Sequence, residues 1–120
     1  MDVTFFASKA DCDVSCFKEI PEGSIIGGGN FNKVLIGDLL SCFNCAGSAL
    51  SDCLWLLPIN FSEELSTIDD NKLKSISVDW ADESSWENKS VNAMDLAGHL
   101  LELKYGYLQH SDKRIFVLFQ

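Results

Sequence analysis

Residues Arg114-Ile115-Phe116-Val117-Leu118-Phe119 form a run in which five consecutive apolar side chains follow one arginine. β-branched and aromatic residues favour extended backbone, and an apolar run without polar alternation is typical of a strand covered on both faces. We therefore predict a central β-strand at 114–119. A second aromatic and β-branched segment, Val3-Thr4-Phe5-Phe6, predicts another strand near the start of the chain.

Three further segments carry strand signals. Apolar residues alternate with Ser and Asp in 73–80, which predicts a strand with one buried face. Residues 24–26 predict a short strand that ends at 27–29, because three consecutive glycines are costly in regular structure. Residues 107–109 are predicted to pair with 114–119 as a hairpin across a polar turn.

Two segments show apolar residues at helical spacing. The first helix is predicted to begin at Asn30 or Asn32, since asparagine is a favoured N-cap. The second is predicted to begin at Ser90 or Asn92 and to be broken by Gly106.

A third, shorter helix is predicted to start at Ser62, which two glutamates follow; acidic residues stabilise the first turn of a helix. Residues 49–57 fit either a buried helix or a strand. Strands near both ends of the chain with helices between them predict one α+β domain over residues 1–120. Its expected architecture is a mostly antiparallel sheet packed by two or three helices.

Composition places the chain among ordinary globular proteins. Its 120 residues are 47% hydrophobic and 22% charged, and Met1 is expected to be the natural start. No basic region followed by an apolar segment precedes the first strand, and polar residues interrupt the apolar stretch 34–59. The sequence therefore predicts a cytoplasmic protein that does not span a membrane.

The cysteines number five, an odd count that does not suit a secreted disulfide framework. Reduced thiols packed as small apolar side chains are the simplest interpretation. An alternative remains open, in which four thiolates hold zinc or support a cysteine-dependent activity. That set would be Cys12, Cys16, Cys42 and Cys45.

Motifs for catalysis or cofactor binding are incomplete. The turn Gly27-Gly28-Gly29-Asn30 precedes a predicted helix, but Asn32 stands where a dinucleotide fingerprint needs its third glycine. No Gly-Lys-Ser/Thr follows, so a phosphate-binding P-loop is excluded. The two histidines, His99 and His110, have no recognisable nucleophile motif beside them. We predict a protein that is not an enzyme and that carries no cofactor or metal.

Charge is the most informative property of the composition. Eighteen acidic residues against nine basic ones give a formal net charge of −9. Such a surface repels nucleic acid and anionic lipid, and it accelerates the encounter with a basic protein. A purely solubilising role for the acidity is the alternative.

The acidic residues cluster in two places that we take as candidate partner-binding sites. In the first, carboxylates flank a tryptophan, a combination typical of an interface anchor surrounded by groups that recognise Lys and Arg. Its members are Asp79, Asp82, Glu83, Trp86 and Glu87. The second cluster, expected to extend the same face, comprises Glu63, Glu64, Asp69 and Asp70.

In size, acidity and the chemistry of residues 79–87, the chain resembles bacterial toxin-immunity proteins of the contact-dependent growth inhibition class. The resemblance implies tight binding to a cognate toxin domain, often a nuclease, whose basic substrate channel an acidic inhibitor would cover. The other interpretations are a phage-type DNA mimic that opposes a DNA-binding protein, the small zinc-binding or cysteine-dependent protein, and a structural adaptor.

Overall fold

The computed structural model describes residues 2–9, 11, 14–82 and 92–120. Within them, five strands form one sheet in the order β2-β1-β5-β4-β3, and every neighbouring pair is antiparallel. The strands are β1 (Asp2–Ser8), β2 (Ile25–Asn30), β3 (Ser48–Ala49), β4 (Leu54–Leu56) and β5 (Arg114–Phe119). The predicted central position of 114–119 is confirmed, because β5 lies between β1 and β4.

Four helices complete the described fold, one more than the sequence predicted at most. They are α1 (Lys33–Cys42), α2 (Ile59–Thr67), α3 (Asp70–Ala81) and α4 (Ala93–Leu108), and a short 3-10 turn lies at Phe17–Glu19. Side-chain oxygens of Asn32, Asp69 and Asn92 accept backbone N–H bonds and cap α1, α3 and α4. The predicted α+β class with an antiparallel sheet is confirmed.

Among the helices that the structure describes, none combines the length and the apolarity that a bilayer span requires.

Strand β5 is covered on both faces because its successive side chains enter two different clusters. Ile115, Val117 and Phe119 join the main core beneath the helices, which also holds Trp80 and Leu100. Phe116 and Leu118 join a smaller cluster on the opposite face, closed by Val14 and Ile20 of the 14–24 loop. This arrangement explains the continuous apolar run, since neither face of β5 meets solvent.

The prediction of a strand at 73–80 was wrong. These residues belong to α3, and the side chains that α3 buries are Leu73, Ile76, Ser77 and Trp80, a spacing of three and four residues. Val78, which completed the apparent alternation, is 51% exposed. The capping carboxylate of Asp69, which accepts a 2.7 Å bond from the Lys72 N–H, was the helix signal at this point.

Two predictions based on glycine were also wrong. Strand β2 continues through Gly27, Gly28 and Gly29 instead of ending before them, and α4 continues through Gly106 to Leu108. The glycine at 106 lies against β2: a Cβ there would stand 2.7 Å from the Ile26 carbonyl oxygen. The predicted hairpin strand at 107–109 consequently does not form, because Tyr107 and Leu108 are helical.

The other predicted boundaries lie closer to the observed ends of the helices and strands. Asn32 and Asn92 are the observed caps of α1 and α4. The third helix starts at Ile59 rather than at Ser62, and the ambiguous segment 49–57 contains the short strand β4.

Candidate functional site

Helices α3 and α4 form an antiparallel pair on the outside of the fold. The first residue of α3, Asp70, contacts Lys104 and Tyr105 near the end of α4. At the other end of the pair, Val78 of α3 and Met94 of α4 line the same groove. In sequence, residues 83–91 connect the two helices at this second end. The two ends differ in charge and in exposed apolar surface, and each is described in turn.

At the first end the charges are neutralised within the protein. Lys104 donates a 3.0 Å hydrogen bond to Asp70 Oδ1, and the Tyr105 hydroxyl donates to Oδ2 at 2.9 Å. The hydrogen bond from Lys104, followed by that from Tyr105, lowers the pKa of Asp70 below its usual value. The same contact raises the pKa of Tyr105, because a tyrosinate would lose the bond that it donates to the carboxylate. This end is held by complementary groups of the chain itself.

At the second end lies an apolar groove between the helices, with a volume of about 350 Å³. Met94 is 81% exposed beside it, and Val78 is 51% exposed. The groove, as the name is used below, is lined by Lys74, Val78, Ala93, Met94, Ala97, Gly98 and Leu101. A contiguous exposed apolar surface of this kind marks interaction sites on soluble proteins more often than an isolated exposed residue does.

Four exposed carboxylates lie on the helices near the lining residues: Asp79 follows Val78, Asp82 is the C-cap of α3, Asp95 follows Met94, and Glu102 follows Leu101. None of them makes an ion pair with a residue that the structure describes. Lys74 is the one charged side chain among the described residues that line the groove. Around the apolar floor, the nearby helical surface, called the rim below, therefore carries four carboxylates and one lysine.

Negative charge is concentrated in the three helices α2–α4. The described residues 59–82 and 92–108 contain eight acids and three lysines, whereas the rest of the described chain contains seven acids and five basic residues. The eight acids are Glu63, Glu64, Asp69, Asp70, Asp79, Asp82, Asp95 and Glu102; the lysines are Lys72, Lys74 and Lys104. The described helices α2–α4 therefore carry more of the net negative charge than the rest of the described chain.

The first predicted cluster falls partly inside the described structure. Asp79 and Asp82 are exposed at the C-terminal end of α3, next to the groove. Glu83, Trp86 and Glu87 lie outside the described residues, so their predicted role in partner binding stays a prediction.

Asp69 and Asp70 of the second predicted cluster lie at the opposite end of α3 from Asp79, and Asp70 is about 14 Å from it along the helix at 1.5 Å per residue. Three of its four carboxylates have partners: Asp69 caps α3, Asp70 binds Lys104, and Glu64 lies 4.0 Å from Lys72. Glu63 is exposed on α2 and lines a separate cleft with Arg114. Among the described residues, Asp69 and Asp70 thus lie at the opposite end of α3 from Asp79 and Asp82, and the predicted common face of the two clusters stays a prediction.

The described cysteines of the alternative zinc set lie on opposite faces of the sheet. Cys42 and Cys45 pack against the main core, whereas Cys16 belongs to the loop whose Val14 and Ile20 close the smaller cluster. Burial raises the pKa of Cys45, and the carboxylate of Glu64 raises it further, which disfavours the thiolate that zinc binding requires. Across residues 2–9, 11, 14–82 and 92–120, no three His, Cys, Asp or Glu side chains are arranged to hold a metal ion. Cys12 is outside the described residues.

The groove itself was missed by sequence reasoning. The strand predicted at 73–80 has one buried face, and its alternation places Val78 on that face. A helical wheel drawn from the Asp69 cap would have placed Val78 outside the buried stripe. Gly98 carried no signal, because its role depends on the neighbouring helix.

Comparison with models of known protein families, with curated proteins and with solved structures found no match. The geometry of the site is therefore the basis for the function proposed next.

Proposed function

We propose that this chain is an immunity protein that binds a cationic toxin domain through the end of the α3–α4 pair that carries the groove, and thereby covers the basic channel of that domain. The observation that carries the proposal is the set Asp79, Asp82, Asp95 and Glu102, four exposed carboxylates that make no ion pair with any described residue. Carboxylates left open in this way remain available to lysines and arginines of another protein.

The contrast between the two ends of the pair supports this choice of surface. Asp70 already has Lys104 and Tyr105 as partners, so a second protein would gain little by approaching it. The carboxylates near the groove have no such partner among residues 2–9, 11, 14–82 and 92–120. The proposal places the protein in the cytoplasm, where an immunity protein meets its toxin, and assigns it no catalysis, no cofactor and no nucleic-acid ligand.

The test begins with isolation of the partner from the native host, followed by association kinetics with the purified partner at several salt concentrations. The triple variant Asp79→Lys/Asp82→Lys/Asp95→Lys should associate at least about tenfold more slowly at low salt and should lose most of its salt dependence.

A matched control reverses three exposed carboxylates away from the pair, Asp2, Glu22 and Asp52, and changes the net charge equally. Its association rate should fall much less, because local charge rather than total charge directs docking. If the two triple variants slow association equally, the α3–α4 surface is not the binding site. If the partner that binds is an acidic protein, the proposed function is wrong.

A further inference from the structure

We infer that the groove between α3 and α4 receives an apolar side chain from a lysine- or arginine-rich segment of the partner, and that this side chain anchors the complex. The inference rests on the proposed function for the charge of the partner, and it adds the chemistry of the central contact. Carboxylates alone speed up association with many cationic proteins. An apolar anchor slows dissociation of the complex and makes binding selective.

The dimensions of the groove fit an anchor rather than a complete interface. Its volume of about 350 Å³ lies at the low end of the ~300–1,000 Å³ of small-ligand pockets. A standard interface buries ~800 Å² on each partner, so most of the contact must come from the surrounding helical surface. Energetically dominant residues of interfaces typically insert into such a central pocket and are ringed by polar contacts.

The absence of side-chain bulk at Gly98 opens the groove. Glycine is unfavourable in a helix interior, and a Cβ built on Gly98 meets no atom within 4 Å, so packing within the described structure does not require glycine there. The glycine at 106 differs, since it allows α4 to touch β2. At position 98 the missing side chain leaves room for a group from outside the chain.

The rim determines the charge of the occupant. Asp82 follows Val78 by one helical turn and Asp95 follows Met94 in the chain, so carboxylates near the groove outnumber Lys74, the one charged side chain among its described lining residues. An apolar side chain flanked by carboxylates on its own segment would bring like charges together, whereas flanking lysines would meet opposite charges. The complementarity therefore selects a cationic segment with an apolar face, such as an amphipathic helix.

The probe is a fluorescein-labelled helical peptide with leucines at i, i+4 and i+7 on one face and lysines elsewhere, measured by fluorescence anisotropy. Two matched peptides replace the leucines by alanine or the lysines by glutamate. The Leu/Lys peptide should bind at low salt, and the Ala/Lys peptide at least about tenfold more weakly, a difference of ~1.4 kcal/mol.

Gly98→Leu fills the groove from within and should weaken binding of the Leu/Lys peptide at least about tenfold. The control is Gly37→Leu on α1, where an added Cβ likewise meets no atom within 4 Å. It should leave peptide affinity unchanged. Circular dichroism of both variants checks that each remains folded.

Other outcomes would overturn the inference. Equal binding of the Leu/Lys and Ala/Lys peptides would show that no apolar side chain anchors the complex, and it would not contradict the proposed cationic partner. Equal binding of the Leu/Lys and Leu/Glu peptides would show that the groove does not select a cationic occupant, and it would also contradict the proposed function. A dimer in sedimentation velocity that Gly98→Leu dissociates would identify a second copy as the occupant. Tighter peptide binding after Trp86→Ala would identify the chain's own segment 83–91.

Discussion

Side-chain hydrogen bonds connect α3 to the neighbouring helices at two points. The indole N–H of Trp80 donates a 2.9 Å hydrogen bond to the carbonyl oxygen of Leu35 in α1, deep in the core. At the start of α3, Asp70 accepts hydrogen bonds from Lys104 and Tyr105 of α4. Both contacts join residues more than thirty positions apart, so they fix the position of α3 in the fold rather than its helicity.

The carboxyl group of Asp70 makes stability depend on pH. The hydrogen bond from Lys104 is the main reason that its pKa in the folded protein lies below the ordinary value of 3.8. The unfolded chain therefore takes up this proton first as the pH falls, and the contribution of Asp70 to stability is present above about pH 4 and lost below it. We expect Asp70→Asn to be less stable than the unmodified protein at pH 7, with the difference vanishing as the pH approaches 2.

Urea unfolding at a series of pH values measures this difference. Asp79→Asn is the control for loss of one negative charge, because Asp79 has no ion-pair partner among the described residues. A stability difference between the unmodified protein and Asp70→Asn that stays constant down to pH 2 would contradict the assignment.

At the scale of elements, α4 connects the sheet to the outer helix. One of its sides contacts β2 and the other contacts α3, so displacement of α4 disturbs both neighbours. The contact with β2 is close because glycines lie on both sides of it: Gly106 on α4 faces Ile26, and Gly27 on β2 faces Leu103. Close approach requires glycine at 106, whereas a Cβ at Gly27 would make an ordinary contact of 3.5 Å with the Leu103 side chain.

Two alanine substitutions in α4 should change the free energy of unfolding in opposite directions. Gly106→Ala places a Cβ 2.7 Å from the Ile26 carbonyl oxygen and should lower the free energy of unfolding by about 1–3 kcal/mol. Gly98→Ala adds helix propensity at a position with no described neighbour within 4 Å, and it should raise the free energy of unfolding by about 0.5–1 kcal/mol. Denaturant melts of the two variants test this, and a stabilising Gly106→Ala would show that the contact with β2 is not close.

At the scale of the whole molecule, β5 couples two apolar clusters that the sheet separates. Phe116 is fully buried in the smaller cluster and stacks on Phe6 with ring centroids 5.3 Å apart. Ile115 and Val117, its neighbours in the chain, are fully buried in the main core. A disturbance of β5 on one face must therefore reach the other through the backbone of one strand.

We expect Phe116→Ala to cost about 3–5 kcal/mol and to destabilise the helices on the opposite face by the same amount. Far-UV circular dichroism and tryptophan fluorescence should report one common unfolding midpoint, as a two-state transition requires. The control is Phe17→Ala in the loop, 47% exposed, with an expected effect within about 0.5 kcal/mol. Two separate transitions would show that the clusters unfold independently.

Local sequence alone determined the central strand, the first strand, the caps of α1 and α4, and the excess of negative charge. Each of these depends on neighbouring residues: a continuous apolar run, an asparagine before helical spacing, or a simple count of ionisable groups. The α+β class followed from them because strands near both ends with helices between them leave few compact arrangements.

Tertiary structure decided between strand and helix at 73–80, kept Gly106 within α4, and placed Asp69 and Asp70 at the opposite end of α3 from Asp79 and Asp82. An alternating pattern over a few residues fits both a strand and a helix, and the core that buries Leu73, Ile76 and Trp80 selects the helix. The groove likewise exists only where two helices meet, since no property of Val78 or Gly98 in isolation indicates the surface that the other helix presents.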